Sequence, residues 1–409
     1  MIPRAPKGTD DILPPESERW RTVLRTFDEL AERYGYQLVF TPIFEHTELF
    51  ARGVGEETDV VEKQMYTFED RGGRSLTLRP EATASVVRAH LDRGGDEILK
   101  VSYAGPMFRY EQPQAGRRRQ FFQVGVEYIG EPSPEADVEV IEVGYRCLQA
   151  CGIADASVLL NSIGDPEDRV AYRDLLYRFL DERREDLSSE AARRIDTSPL
   201  RALDSKQDDA VLEGAPVPID HLGSAAATHH AAVEVGLRRQ GIPFVAAPRL
   251  VRGLDYYNRT VFEYQAASYR VAQSALGGGG RYDPLAAMLG GSETPGVGLA
   301  MGVDRVVLAM PDVVDAPALD AFVVWTGAER LEAALAVASS LRGAGFSADL
   351  DLSGKSVRSQ FRAADRRRAT AAIVVGSEWD EGLVTVKRLA SGEESTMTLE
   401  ETQKWLKNR

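Results

Sequence analysis

Between Phe108 and Glu127 the chain reads FRYEQPQAGRRRQFFQVGVE, a density of arginine, carboxylate and aromatic residues that could do chemistry. On a strand of period two, Phe121, Gln123, Gly125 and Glu127 fall on one face, and Phe122, Val124, Val126 and Tyr128 on the other. Burying the apolar set fixes the register, because a slip of one residue would bury Gln123 and Glu127 instead. The other face then offers a ring, an amide, a gap and a carboxylate in a row. By the same period Arg109 and Glu111 share a face of the preceding strand, and Arg117, Arg118 and Arg119 overhang it. A ring to stack on, arginines for phosphates and a separate carboxylate suit a nucleotide beside a small cationic or hydrogen-bonding substrate. The same spacing also suits an ordinary hairpin with a solvated basic loop.

Elements must position these groups. The strand Lys100–Arg109 pairs with the one from Phe121 across a loop holding Pro113 and Gly116. Upstream, an extended arm rich in proline (1–15) leads to a helix over Ser17–Tyr34, with Trp20, Leu24, Phe27 and Leu30 at helical spacing. A strand Leu38–Phe40 stops at Pro42, and a helix through His46–Phe50 follows. Residues 65–79 read as a hairpin turning at Asp70–Gly73. Pro80 stops it, and a helix Ala82–Leu91 begins where Glu81 and Thr83 can reach into a cleft. Val138–Cys151 reads as an amphipathic helix and Val158–Asn161 as a strand. From 165 to 248 the character turns to charged helices, read as an insertion that packs as a lid or touches a partner. Arg249–Tyr264 returns to strand-like patterning, interrupted at Gly253 and Asn258. The run Gly277–Gly280 lacks the GK[ST] of a phosphate loop and reads as a strand edge where backbone closely approaches a ligand. Gly296–Gly302 is a glycine-rich strand, and Arg305 lies in the first turn of the helix after it.

Composition bounds the rest. A chain of 409 residues, 43% hydrophobic and 27% charged, has the makeup of a globular protein of two or three domains. No apolar h-region or membrane-length run occurs, which predicts a cytoplasmic protein without a membrane span. Cys147 and Cys151, four apart in one helix, read as apolar fillers, and the five histidines show no metal-ligand spacing. The net charge of −14 is unexpected for a nucleic-acid partner, so a local basic patch would be required. After a proline-punctuated acidic linker over 311–317, the tail 319–409 alternates strand and helix as a parallel α/β domain does, with its last strand, Leu383–Leu389, expected at the edge. It holds as many basic as acidic residues. Lys355, Arg358, Arg362 and Arg366 recur there at three- or four-residue spacing on one helix face. That is a solvated face or a phosphate-binding patch.

The order FRxE, basic loop, RQFxQ resembles motif 2 of the class II aminoacyl-tRNA synthetases. Its particular form here is similar to the histidyl-tRNA synthetase family. Four further segments resemble that family in the same order: LRPEAT from Leu78, LVRGLDYYNRTVFE from Leu250, GGGGRYD from Gly277 and GLAMGVDR from Gly298. The first departs from the family's LRPEGT, and Ala82 would be strained if that glycine needs a positive φ. The segment from helix Ser17–Tyr34 to Pro42 resembles motif 1, which in the family forms a dimer interface, and Arg305 matches motif 3.

The resemblance implies an α+β fold. A class II catalytic domain with an antiparallel sheet core and helices (1–164 and 249–316) would carry a helical insertion (165–248) and a C-terminal α/β anticodon-binding domain (319–409). It implies attachment of L-histidine to tRNA(His) through an adenylate, with ATP and its accompanying Mg2+ as substrate, by a homodimer. Arg109 and Arg252 would be the cations on the α-phosphate. Arg117 and Arg305 would hold the outer phosphates, Phe121 and Arg305 would sandwich adenine, and Glu111 would accept from its amino group. Glu81, Thr83 and Gln123 would take the histidine α-amino group. Glu127 and Tyr257 would contact the imidazole, with Tyr282 lining the pocket. The competing expectation is a non-catalytic synthetase paralogue, such as the regulatory subunit of ATP phosphoribosyltransferase. That family usually loses the Leu250–Glu263 segment and the tail, both present here.

Overall fold

In the computed structural model, which describes residues 3–55, 58, 60–95, 97–196, 199–269, 275–311 and 319–408, the chain divides into two units, Met1–Val314 and Asp315–Arg409. The first opens with α1 (Glu16–Arg33), whose Trp20, Val23, Phe27 and Ala31 are buried at helical spacing. β1 (Gln37–Leu38) is shorter than expected, and Phe40 stands 81% exposed beyond it. A strand not foreseen, β2 (Phe44–His46), precedes α2 (Thr47–Val54). β3 (Tyr66–Glu69) and β4 (Ser75–Leu78) form the expected hairpin. Its turn is closed by the Asp70 carboxylate, which accepts from the N–H groups of Gly72 at 2.8 Å and Arg74 at 2.9 Å. Ala82 precedes α3 (Thr83–Asp92) with φ −108°, so the methyl group that replaces the family glycine is unstrained.

The body of the unit follows as β5 (Leu99–Phe108), β6 (Gln120–Ile129), α4 (Pro134–Ala150) and β7 (Ala156–Ser162). Then come α5 (Pro166–Asp181), α6 (Ser189–Arg194), α7 (Ser224–Arg239) and β8 (Phe244–Ala246). β9 (Asn258–Ala266), β10 (Ala275–Arg281), α8 (Leu285–Met288), β11 (Gly296–Gly302) and α9 (Val303–Ala309) complete it. Eight strands join in the order β1-β5-β6-β11-β10-β9-β7-β8. The six inner strands pair antiparallel, and β1 and β8 add parallel at the two edges. On one face Val124, Val126, Leu299 and Met301 pack against α1, α4, α7 and α9. On the other, Val101, Tyr103, Met107 and Val261 pack with residues of α3 and α5.

Three expectations change here. The segment 165–248 does not stay separate at its C-terminal end. Val233 and Leu237 of α7 share the core of α4, and β8 extends the main sheet, so only the part before α7 is an excursion from it. Residues 250–257 are not strand, and β9 starts at Asn258. The glycine run is interior, because β10 lies between β11 and β9.

The second unit builds β12 (Ala321–Trp325), α10 (Leu331–Gly343), β13 (Ala348–Leu350), α11 (Val357–Arg366) and β14 (Ala371–Val375). β15 (Leu383–Arg388), β16 (Glu394–Thr398) and α12 (Leu399–Lys407) end it. The sheet order is β13-β12-β14-β15-β16, with the first three parallel. All five residues of β12 are buried, as suits a strand covered on both faces. The strand expected at the edge, β15, is interior, because β16 pairs with it. β16 reads ESTMT and is mostly exposed, so it carries no apolar alternation to find. Of the expected linker, residues 312–317 lie outside the described residues.

Candidate active site

A cavity of about 180 Å³ opens on the sheet face opposite α4. Its floor is made by register. Glu127 on β6 stands opposite Val101 and Gly298, and Gly298 stands opposite Gly280. One row along, Gly125 faces Tyr103 and Ala300, Ala300 faces Gly278, and Gly278 faces Glu263. The row of small residues leaves the volume empty. A Cβ on Gly298 would overlap Glu127 Oε2, and one on Gly278 would press on Arg252 Nη1 at 3.0 Å. The glycines thus make room for side chains that reach over the sheet.

Glu127 is fully buried behind the cavity wall. Thr83 Oγ1 donates to its Oε1 at 2.7 Å, and Tyr282 Oη donates to Oε2 at 2.6 Å. Burial pushes the Glu127 carboxyl up to about 8, against the pull of those two bonds. Glu81 receives the Thr83 and Ala84 N–H groups at 2.6 and 3.0 Å, capping α3 while facing the same cavity. Burial raises its proton affinity too. Gln123 Oε1 is buried with no hydrogen-bond partner, an acceptor waiting for a donor. Tyr257 is buried beside Tyr256, ring centroids 4.6 Å apart, and lines the same cavity.

The other end is cationic. Arg109, Arg117, Arg118, Arg252 and Arg305 all line it with Phe121. Arg109 donates to the Pro80 carbonyl at 3.0 Å and places its guanidinium 5.4 Å from the centre of the Phe121 ring. Burial lowers its proton affinity. Arg252 Nη1 pairs with Glu263 Oε1 at 2.5 Å while its Nε is buried without a partner. Arg305 donates to the carbonyls of Gly116 and Ala275, both at 2.9 Å, which anchors the basic loop to α9. Arg117 and Glu111 form an ion pair, Nη2 donating to Oε1 at 3.1 Å. A ligand would have to part the two for each to play the separate role expected of it.

Eleven of the twelve residues expected at this site line one cavity: Glu81, Thr83, Arg109, Glu111, Arg117, Phe121, Gln123, Arg252, Tyr257, Tyr282 and Arg305. Glu127 lies behind that lining, bonded to Thr83 and Tyr282. Sequence reading missed Tyr103, Tyr256 and Glu263. Period two from Met107 places Tyr103 on the pocket side of β5, and Val261 does the same for Glu263. Tyr256 lies in irregular chain, where no period applies. Among the described residues, no group of three or more His, Cys, Asp or Glu side chains could hold a metal ion.

In the second unit, Arg358, Arg362 and Arg366 lie on α11 and are exposed. Lys355, also exposed, precedes the helix instead of sharing its face, because the helix starts only at Val357. Its carbonyl accepts from Gln360 Nε2 at 2.9 Å, which tucks the loop against the first turn.

Comparison with known proteins finds relatives over nearly the whole chain. The family model described as histidyl-tRNA synthetase matches residues 8–306, and that of an anticodon binding domain matches 320–409. A histidine–tRNA ligase of Halothermothrix orenii is 44% identical over 418 residues, covering 99% of this chain and 100% of the relative. The apo histidyl-tRNA synthetase structure from S. aureus has a TM-score of 0.80 at 34% identity, covering 99% of this chain and 100% of that one. An ATP phosphoribosyltransferase regulatory subunit/histidyl-tRNA synthetase from Bacillus halodurans C shares the fold, with a TM-score of 0.65 at 22% identity over 92% of this chain and 99% of that one. The chain belongs to the histidyl-tRNA synthetase family.

Proposed function

We propose that this protein attaches L-histidine to tRNA(His) in two steps, through a histidyl-adenylate made from ATP. The observation that carries the reading is Glu127, buried directly behind two residues of the cavity wall, Thr83 and Tyr282, with Gln123 Oε1 unpartnered in the cavity itself. Burial makes the Glu127 carboxylate hold its proton too tightly. An imidazolium bound against Thr83 and Tyr282 supplies the positive charge that offsets this burial. Tyr257 takes the other ring nitrogen, Tyr282 lines the pocket, and Glu81, Thr83 and Gln123 accept from the α-amino group. A side chain without ring nitrogens leaves these groups unpaired, which rejects apolar competitors.

ATP occupies the cationic end. Phe121 and Arg305 sandwich adenine, and Glu111 accepts from its amino group once Arg117 turns to the outer phosphates. Mg2+ enters with ATP. The histidine carboxylate attacks the α-phosphorus and pyrophosphate leaves. Charge growing on the α-phosphate oxygens meets Arg109 and Arg252, already fixed and desolvated. A hydroxyl of the terminal tRNA ribose then attacks the acyl carbon and AMP leaves. The catalytic part corresponds to 1–164 and 249–316, with α7 and β8 supporting it from within 165–248. The anticodon-binding part is 319–409, where Lys355, Arg358, Arg362 and Arg366 meet the tRNA backbone.

The protein works as a homodimer in the cytoplasm. Phe40, Ile43 and Phe44, in the segment resembling motif 1, are exposed apolar residues that a second copy would cover. No described helix is long and apolar enough to cross a membrane. Sedimentation at micromolar concentration should give twice the chain mass. Histidine-dependent exchange between ATP and pyrophosphate tests the activity. Exchange with histidine and not with other amino acids is expected, whereas no exchange at all would place the chain with the non-catalytic paralogues.

A further inference from the structure

Behind the imidazole end of the cavity lies a charged side chain that lines none of it. Arg281 is the largest fully buried side chain of the described residues, and its partner Asp137 is equally buried. We propose that Arg281 is a positioning residue that sets amino-acid selection by holding Tyr282, Tyr257 and Glu127 in one geometry. The proposal rests on the reading that these three contact the histidine ring.

The contacts define what is held. Arg281 Nη1 donates to the Glu131 carbonyl at 3.1 Å, and Nη2 donates to the Ser133 carbonyl at 3.0 Å. Both acceptors lie just beyond the end of β6, the strand that carries Glu127. Arg281 Nε donates to Asp137 Oδ2 at 3.1 Å, and Nη2 pairs with the same oxygen, in the first turn of α4. His229 Nε2, on α7, lies 3.2 Å from the other Asp137 oxygen. Nη1 also reaches Asp283 Oδ1 at 3.2 Å, on the far side of Tyr282.

Asp283 carries the hold onward. Its Oδ1 accepts from the Gly296 N–H at 3.0 Å, at the start of β11 and two residues before the glycine that makes room for Glu127. Its Oδ2 accepts from Asn258 Nδ2 at 3.1 Å, and its own N–H donates to Asn258 Oδ1 at 3.0 Å. Asn258 directly follows Tyr257. A shift of register between Gly280 and Arg281 on β10 makes the arrangement possible, because a bulge re-aims the side chains that follow it. One guanidinium and one carboxylate thus tie together the chain segments bearing Glu127, Tyr282, Tyr257 and Gly298.

Two physical points favour positioning over bulk stability. A buried ion pair contributes little net stability compared with apolar residues of the same size, because both charges lose their water. What it does supply is direction. A planar fork with five fixed donors reaches four partners at once, which neither a lysine nor an apolar side chain can do.

The test uses Arg281→Lys and the milder Asp283→Asn in the full-length protein, with Glu127→Gln as control. KM for histidine and for ATP are measured by pyrophosphate exchange, with circular dichroism to confirm the fold. Arg281→Lys should raise KM for histidine by about 10- to 100-fold, the scale of a misplacement of about 1 Å. KM for ATP should stay within about threefold, and Asp283→Asn should show the same split more weakly. Preference for histidine over an analogue with an altered ring should fall in step. Equal rises in both KM values, or no rise in either, in a folded variant would overturn the proposal. If Arg281→Lys does not fold, the split or its absence in Asp283→Asn decides. If Glu127→Gln leaves KM for histidine unchanged, the pocket reading fails and the proposal with it. If only Glu127→Gln raises it, the proposal alone fails.

Discussion

The cavity of the first unit and the basic face of the second both gather cations, and they hold them in opposite ways. Around the cavity every arginine has a fixed neighbour. Arg109 has the Pro80 carbonyl, Arg117 has Glu111, Arg118 has Asp304, Arg252 has Glu263 and Arg305 has two carbonyls. On and beside α11, Lys355, Arg358, Arg362 and Arg366 are exposed to water. A buried cation without a partner is too costly to keep, so the active site must store its charges in pairs that a substrate can rearrange. An exposed cation needs no partner but is screened by salt, which suits binding of a long phosphate chain and not stabilisation of one transition state. The difference predicts that losses in the cavity are large and insensitive to salt. Losses on the helix should be small and strongly dependent on it.

The largest expected effect is at Arg252. Removing a preorganised donor of this kind costs about 100- to 1000-fold in kcat. Arg252→Ala should slow single-turnover adenylation by about that factor, with less effect on transfer from preformed adenylate, where no phosphorus is attacked. Adenylation within about threefold of the unmodified protein would leave Arg109 alone with the α-phosphate.

Next comes Glu127→Ala. Loss of a charge-assisted hydrogen bond to the imidazole should raise KM for histidine by about 10- to 100-fold and KM for ATP far less. Equal effects on both would assign Glu127 to folding or to the nucleotide.

Removing two of Arg358, Arg362 and Arg366 should weaken tRNA binding by about tenfold at physiological salt. The slope of log affinity against log salt should fall by about one for each phosphate that no longer meets a cation. Pyrophosphate exchange should not change. An unaltered KM for tRNA would make α11 a solvated face, and a fall in exchange would break the comparison between the two regions.

The last prediction concerns stability. Burial holds the Glu127 carboxyl at about 8 in the folded chain, against an ordinary 4.5. The folded state therefore binds the proton more tightly. This contribution is fully present below about pH 4.5 and is lost as pH rises through about 8. In the ligand-free protein Glu127→Gln should flatten the fall of Tm across that window. An unchanged slope would mean that Glu127 is better solvated than its burial implies.

Much of this was legible in the sequence, and the reasons are physical. Period two placed Gln123 and Glu127 opposite Val124 and Val126, because only one face of a strand can enter the core. Helical spacing located α1, and the turn chemistry of Asp70 and Gly73 located the β3–β4 hairpin. The family motifs named eleven cavity residues, and Glu127 behind them, from five segments. What the sequence did not carry was pairing across segments. Nothing in ESTMT signals a strand, because an exposed edge needs no apolar pattern, so the neighbour of β15 was missed. The glycine run looked like an edge, yet its meaning came from its neighbours: Gly278 makes room for Arg252 and Gly280 for Tyr257, which lie elsewhere in the chain. The tie from Arg281 to Asp137 spans 144 positions, and no local period connects them. Sequence alone determined which residues face inward and which family motifs they build, since both follow from local spacing. Only the tertiary structure decided which buried charges meet, because a charge partner is chosen by distance in space and the low dielectric of the core makes that choice binding.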